Sequence, residues 1–228
     1  MICIIPIRSK SKGLKNKNIL NFNGIPLVLN SVNLALKAKI FDKIVIATDS
    51  DNYIKFLKKK TSLHNIITNK LYFFKRSSYS SSDTAPTEIV ITEVLNKFKS
   101  HKLCCLIQAT SPLLAAKDLK KAFKEYIKGK FDSMFSGYIF KKFLWSKKKK
   151  LKPLNYDLFN RPMRQEIGDY FIENGAFYIF KVKKYFKYQN RLFGKIGCYK
   201  MSSKKSIDID TKKDFVDAEK KLIQLNAQ

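Results

Sequence analysis

Arginine, glycine and acidic residues are all scarce in this chain of 228 residues. Lysine and arginine together number 46 against 18 aspartates and glutamates, and only five of the 46 are arginine. The formal net charge of +28 would suit a nucleic-acid-binding protein. Lysine is spread along nearly every predicted helix, so a solvated basic surface is the favoured interpretation and a dedicated nucleic-acid face the alternative. Such a surface should still attract anionic substrates.

The sequence also lacks long apolar runs and the cysteine spacing of metal sites. No run of about 18 apolar residues occurs, so we expect no membrane-spanning helix. The N-terminus enters a strand directly, without the charged and apolar segments of a secretory leader. Cys3, Cys104 and Cys105 lie in apolar runs without metal-type spacing. We therefore expect reduced cysteines in the core of a cytoplasmic protein.

The apolar segments alternate between strand patterns and helix patterns along the chain. This alternation predicts an α/β fold, with a mostly parallel sheet and helices on both faces, in one domain over residues 1–228. The predicted strands cover residues 2–7, 43–48, 103–108, 132–136, 173–180, 195–201 and 206–209. The predicted helices cover residues 26–39, 52–60, 86–100, 117–128 and 211–225. Between residues 138 and 169 the pattern breaks into an irregular, lysine-rich segment, which we interpret as a hairpin excursion from the sheet.

A basic loop, residues 8–18, follows the first predicted strand. It carries five cations and one glycine, Gly13. Open α/β sheets bind ligands at the carboxyl ends of their strands, where cations neutralise phosphate and backbone N–H groups contact its oxygens. The single glycine excludes the Walker A and G-x-G-x-x-G loops. The loop therefore predicts a triphosphate site of another kind, with a solvated basic loop as the alternative.

Two aspartates near the end of the chain alternate with two isoleucines at residues 207–210. Residues i and i+2 share a face of a strand, so Asp208 and Asp210 should point together while the isoleucines face the core. Two such carboxylates repel each other unless a cation lies between them. Mg²⁺ binds one or two carboxylates together with phosphate oxygens. The pair therefore predicts a magnesium site, with an acidic helix N-terminus as the alternative.

Four of the five arginines lie in segments that have an evident context, whereas Arg191 has none. An arginine fork binds phosphate or carboxylate through two parallel hydrogen bonds, which lysine cannot do. Arg8 follows the first strand, Arg76 precedes a serine-rich segment, and Arg164 lies in the excursion. Gln108 ends another predicted strand, at the sheet edge where ligands bind. These positions support an anion site, although chance placement of so few arginines is the alternative.

Six motifs in this order resemble those of the acylneuraminate cytidylyltransferases, also called CMP-sialic acid synthetases. They are the Pro-x-Arg…Ser-Lys-Gly…Lys-Asn loop, Asp83-Thr84-Ala85-Pro86-Thr87, Gln108-Ala109-Thr110-Ser111-Pro112, Arg164-Gln165, Glu173-Asn174-Gly175-Ala176, and Ser206-Ile207-Asp208-Ile209-Asp210-Thr211. The resemblance covers nearly the whole chain. It implies a nucleotidyltransferase, Rossmann-like fold, and a homodimer built through a protruding arm at residues 138–169.

The resemblance also implies roles for individual residues. Contact with CTP is implied for Arg8, Ser11, Lys12, Lys17, Asn18, Arg76, Ala85 and Thr87. Contact with the sugar acid is implied for Gln108, Arg164, Asn174 and Tyr178. Magnesium binding is implied for Asp208 and Asp210, which join Arg8 and Lys17 as the catalytic residues. Because the family's arm reaches the neighbouring active site, Arg164 is expected to serve the other protomer.

The implied reaction transfers CMP from CTP to the anomeric hydroxyl of a nonulosonic (sialic-type) acid and releases pyrophosphate. The family often has a basic residue just before Glu-Asn-Gly, where this chain has Ile172. The sequence therefore leaves the identity of the sugar acid open. Three alternatives stay open as well: a Kdo-type cytidylyltransferase, a basic nucleic-acid-binding protein, and an inactive relative that acts as a binding partner.

Overall fold

The computed structural model describes residues 1–11, 13–66, 68–147 and 149–226. Within these ranges the chain forms eleven strands and six α-helices. The strands are β1 (Ile2–Ile7), β2 (Asn21–Phe22), β3 (Ile25–Pro26), β4 (Lys43–Thr48), β5 (Leu71–Lys75), β6 (Leu103–Ile107), β7 (Ser133–Phe140), β8 (Trp145–Lys147), β9 (Leu151–Pro153), β10 (Tyr170–Lys181) and β11 (Ile196–Lys200). The helices are α1 (Leu27–Ala38), α2 (Asp51–Leu63), α3 (Thr87–Lys97), α4 (Ala116–Lys128), α5 (Val182–Tyr188) and α6 (Lys212–Asn226).

One large sheet of the described residues orders its strands β11-β7-β10-β6-β1-β4-β5. Only β10 runs antiparallel to its neighbours there, so the prediction of a mostly parallel sheet is confirmed. The chain builds β1, β4 and β5 in one direction and then crosses back to place β6 on the other side of β1. The order of the strands therefore reverses between β1 and β6. A crevice for ligands is expected outside the carboxyl ends of strands at such a point.

Helices cover both faces of the sheet, as the sequence predicts. Alternate residues of β1 point to opposite faces. Cys3, Ile5 and Ile7 join a buried cluster with α1, α2 and α4, whereas Ile2 and Ile4 join a second cluster with α3 and α5. Full burial of each such aliphatic side chain contributes about 1.5–3 kcal/mol. The central strand is thus fixed from both sides, and with it the loop that follows Ile7.

Four parts of the fold differ from the expected elements. The β2–β3 pair, β5 and α5 are additional elements, and all of them are short. The predicted strand at residues 206–209 is wrong, because this segment has no strand pairing in the described residues. It is instead fixed by a hydrogen bond from Ile209 N to Thr110 O (2.9 Å) and by burial of Ile209 beside α6.

The predicted excursion does contain a hairpin. β7 and β10 pair up to Phe140 and Tyr170, and between them β8 and β9 form a separate two-stranded hairpin. An irregular segment, residues 154–169, leads back to the sheet. Among the described helices, none combines the length and apolar character that a bilayer crossing requires.

Asp132 fixes the start of β7 to neighbouring segments. Its carboxylate, which is 13% exposed, accepts hydrogen bonds from Lys181 Nζ (2.8 Å) and from the backbone N–H of Lys195 (3.1 Å), and it contacts Lys184 Nζ at 2.7 Å. The pKa of Asp132 lies well below its ordinary value, mainly because Lys181 and Lys184 donate hydrogen bonds to its carboxylate. The carboxylate therefore stays charged in the folded protein throughout the mildly acidic range.

We predict that Asp132→Asn lowers the free energy of unfolding at pH 7 by about 2 kcal/mol, since charge-assisted hydrogen bonds are lost. Because the folded-state pKa is depressed, this contribution is present above the unfolded pKa of about 4 and is lost as the pH falls below it. Urea unfolding at a series of pH values tests both points. The matched control is Asp217→Asn, an exposed position on α6; equal stability of the two variants at pH 7 would contradict the prediction.

Candidate active site

A pocket of about 330 Å³ opens at the carboxyl ends of β1 and β6, where the strand order reverses. Arg8 directly follows β1, and Gln108 directly follows β6. The lining residues are Pro6, Ile7, Arg8, Ser11, Gly13, Lys17, Asn18, Arg76, Ala85, Thr87, Val90, Gln108, Thr110 and Asp210. The site is therefore assembled from four distant parts of the sequence.

The structure brings most of the predicted site residues to this one pocket. Those on its wall are Arg8, Ser11, Lys17, Asn18, Arg76, Ala85, Thr87, Gln108 and Asp210. Lys12 lies outside the described residues. Asp208, Arg164, Asn174 and Tyr178 are not among the lining residues. The role of each residue remains a prediction, but the grouping expected for the CTP side matches the geometry.

A hydrogen bond joins the first and the last residue of the basic loop. The buried side chain of Asn18 donates through Nδ2 to the backbone oxygen of Arg8 (3.1 Å), so the two ends of the loop are tied together. The guanidinium of Arg8 donates to Ser82 O (3.2 Å) and to Asp83 Oδ1 (3.3 Å). Arg8 therefore links the loop to the segment before α3.

Lys17 joins the basic loop to the acidic segment at the other end of the chain. Its Nζ donates to Ile209 O and to Asp210 Oδ1, both at 2.7 Å. Gly13 approaches the same segment so closely that a Cβ on it would lie 2.3 Å from the backbone oxygen of Asp210. Only glycine fits this backbone contact, which explains the single glycine of the loop.

Asp208 and Asp210 interact electrostatically beside this contact. The pKa of Asp208 is raised, mainly because its carboxyl group is buried, and the charge of Asp210 adds to the effect. The residue as a whole is nevertheless exposed. A hydrogen bond with Thr110 and the charge of Lys17 act in the opposite direction. The described residues hold no group of three or more acidic, histidine or cysteine side chains suited to a metal. An ion here would need further oxygens from phosphate and water, which is how Mg²⁺ is usually bound.

Arg76 places a buried cation at the back of the pocket. The residue is 6% exposed, and its Nε donates to Ser80 Oγ (3.2 Å), which in turn donates to Glu93 (2.9 Å). Burial lowers the pKa of Arg76, while the charges of Asp49 and Glu93 raise it. A guanidinium has five N–H donors in a rigid fork, so this network can orient it toward a ligand.

Asn174 and Tyr178 do not line the pocket. Asn174 accepts from Ser136 Oγ (2.7 Å) and donates to Ser206 Oγ (2.8 Å), so it ties β10 to the segment before the aspartate pair. Tyr178 is 4% exposed, and its hydroxyl donates to Glu173. Arg164 is exposed on the irregular segment of the excursion.

Sequence reasoning gave no role to three residues that shape the site. Thr110 lines the pocket and forms a side-chain hydrogen bond with Asp208. Its position two residues after Gln108 could have indicated from the sequence that it belongs to the site. Glu93 holds the serines beside Arg76, and Asp49 contacts the start of the basic loop. Both are ordinary acidic residues in the sequence, and only the tertiary contacts distinguish them.

The strand reversal, the basic loop and the acidic pair define an α/β protein of the nucleotidyltransferase type. The solved structure of CMP:2-keto-3-deoxy-manno-octonic acid synthetase complexed with CTP has the same fold, with a TM-score of 0.68 at 13% identity over 98% of both chains. The chain belongs to the cytidylyltransferase family, whose model matches residues 2–228.

Curated relatives agree with the resemblance found in the motifs. The chain is 32% identical to the N-acylneuraminate cytidylyltransferase of Oncorhynchus mykiss over 226 residues, which cover 97% of this chain and 50% of that protein. It is 35% identical to the pseudaminic acid cytidylyltransferase of Campylobacter jejuni over 136 residues, which cover 59% and 56% of the two chains. The chain thus spans about half the length of the first curated relatives that it matches.

We predict that Gly13→Ala destabilises the protein by about 1–3 kcal/mol, because the added Cβ would collide with the backbone oxygen of Asp210. Gly168→Ala is the matched control, since a Cβ at that position meets open space. Urea unfolding of both variants measures the difference. If Gly13→Ala were as stable as Gly168→Ala, the loop and the acidic segment would not touch as described.

Proposed function

We propose that this chain is an enzyme that transfers CMP from CTP to the anomeric hydroxyl of a nonulosonic acid and releases pyrophosphate. The observation that carries this proposal is the contact of Lys17 with Asp210, two residues that line one pocket and that join the cationic loop to the segment carrying the carboxylate pair. Membership of the cytidylyltransferase family supports CTP as the nucleotide. The names of the relatives support a sialic-type acid as the acceptor.

In this proposal the basic loop handles the phosphates. Arg8 and Lys17 stabilise the charge on the α-phosphate and on the departing pyrophosphate, and they are held by contacts made before substrate arrives. The sugar hydroxyl attacks the α-phosphate in line, so the pocket must fix both reactants in one orientation. Arg76, Ala85 and Thr87 would contact the cytidine, and Gln108 the sugar acid, since they line the same pocket.

Asp208 and Asp210 would hold Mg²⁺. Two carboxylates in one short segment suit a cation, and the charge of Asp210 adds to burial in raising the pKa of Asp208. When bound, the ion neutralises phosphate charge and orients the reacting oxygens. Lys17 already supplies one positive charge to Asp210, so phosphate-binding and metal-binding groups lie within one hydrogen bond of each other.

We also propose a cytoplasmic location, which four free cysteines support.

We further propose a homodimer in which the arm at residues 138–169 contacts the second copy. Six exposed apolar side chains on the arm support this, because exposed apolar surface marks interaction sites. They are Trp145, Leu151, Leu154, Leu158, Phe159 and Met163, and Phe159 is 96% exposed. Arg164 follows Met163 directly and would reach the neighbouring active site, which would explain why it does not line the pocket of its own chain.

The activity is tested by incubating the protein with CTP, Mg²⁺ and a panel of N-acetylneuraminate, pseudaminate and Kdo, and by measuring pyrophosphate. We expect release with at least one nine-carbon acid, and Asp208→Asn and Asp210→Asn should each lower kcat about 100-fold or more. Asp217→Asn is the matched control.

If no acid of the panel led to pyrophosphate release, the proposed activity would be wrong. If kcat were unchanged in both aspartate variants, the proposed metal site would be wrong. Release with Kdo alone would favour the Kdo-type alternative. Steeply salt-dependent DNA affinity without CTP binding would favour the nucleic-acid alternative.

The dimer is tested by sedimentation of Phe159→Ser, which we expect to shift the protein toward monomer, against Leu63→Ser, at an apolar residue of α2 that is 62% exposed. Mixing Arg164→Ala with Asp210→Asn then tests the assignment across subunits. If Arg164 acts across the interface, each mixed dimer has one intact site, and the mixture should recover about a quarter of wild-type activity. No recovery from a mixture that does form mixed dimers would place Arg164 in its own site.

A further inference from the structure

The connection after β4 and the first turn of α2 each supply one side chain that holds the basic loop. The first is Asp49, whose Oδ1 accepts from Ser9 N (2.8 Å) and whose Oδ2 accepts from Ser9 Oγ (2.7 Å). Both oxygens of one carboxylate are thus bound to a single residue of the loop. The register of the parallel pair makes this possible, because Ile7 lies opposite Thr48 and the residues that follow remain neighbours.

The second is Tyr53, in the first turn of α2. Its ring is buried in the main core, and its hydroxyl contacts Asn16 Oδ1 (3.0 Å) and Ser9 O (3.3 Å). Asn16 has a φ of 57°, in the left-handed region that asparagine tolerates better than most residues. The two side chains therefore bind the loop at both ends, on either side of Gly13.

The charge of the loop explains why such anchors are needed. Arg8, Lys10, Lys15 and Lys17 repel one another within a short segment, and an unanchored loop would spread before the phosphates arrive. Asp49 places a negative charge beside Ser9, at the start of the loop. Burial would raise the pKa of Asp49, but the hydrogen bonds from Ser9 outweigh it and hold the pKa below its ordinary value. The anchor is thus charged at neutral pH.

Asp49 does not line the pocket in which we expect CTP. It borders two neighbouring cavities, together with Ser9 and Lys10. Its effect on a ligand must therefore be indirect, through the loop that it binds and through its charge on Arg76. We propose that Asp49 is a positioning residue, assisted by Tyr53, that holds the basic loop in the shape that presents Arg8 and Lys17 to the phosphates. This inference rests on the proposed function for its ligand, but the ordering of the loop is independent of it.

Two readouts test this inference on the 228-residue chain. The first is amide hydrogen exchange of residues 8–18 without ligand, and the second is the affinity for CTP with Mg²⁺, by calorimetry. We expect Asp49→Ala to speed exchange in the loop and weaken CTP binding, each roughly tenfold or more, since two hydrogen bonds are lost. Asp49→Asn should recover part of the loss, because one side-chain oxygen remains. In turnover, KM for CTP should rise while KM for the sugar acid stays unchanged.

The matched control is Asp51→Asn, two residues further along the same connection. Asp51 pairs with Lys75 at 2.5 Å instead of with the loop. Tyr53→Phe removes the hydroxyl and keeps the buried ring, so it tests the second anchor even if Asp49→Ala fails to fold. A double variant adds a further check: Ser9→Ala should cost nothing more once Asp49 is alanine.

Two results would separate the outcomes. If Asp49→Asn, Asp49→Ala and Tyr53→Phe all matched Asp51→Asn in exchange and in CTP affinity, the positioning role would be wrong while the proposed function stood. If the wild type bound no CTP but Asp49→Ala still loosened residues 8–18, the proposed function would be wrong while the anchoring of the loop stood.

Discussion

The hydrogen bonds of one ammonium group hold the candidate site together. Lys17 donates to the backbone oxygen of Ile209 and to the carboxylate of Asp210, and so joins segments separated by 192 residues. The close approach of Gly13 to Asp210 allows this contact, and the burial of Ile209 beside α6 stabilises it. The cations that we propose for phosphate and the carboxylates that we propose for metal thereby become neighbours.

The fold brings these segments to one place for reasons that lie in the sheet. β1 is buried on both faces, and it lies where the strand order reverses. The basic loop must therefore begin in the crevice between the carboxyl ends of β1 and β6. Asp49 follows the neighbouring strand β4 and meets Ser9, while Thr110 follows β6 and meets Ile209. Each strand end thus contributes a contact that shapes the loop or the acidic segment.

Local patterns were enough to predict much of this arrangement from the sequence. The apolar runs of β1 and β4 are continuous, and the loop after β1 concentrates cations around one glycine. The interpretation of residues 206–209 as a strand failed, because alternating Ile and Asp fit any extended segment with one buried side. The roles of Asp49, Tyr53 and Glu93 could not be predicted, since each depends on a tertiary partner that no spacing in the sequence reveals.

The central claim is that the loop and the acidic pair form one binding site. The most direct measurement is a double-mutant cycle on CTP affinity in the presence of Mg²⁺, with Lys17→Met, Asp210→Asn and the double variant. The account predicts that the losses are not additive, with a coupling of about 0.5–3 kcal/mol between the two positions. Losses that simply add, or single variants that bind CTP as well as the wild type, would contradict it.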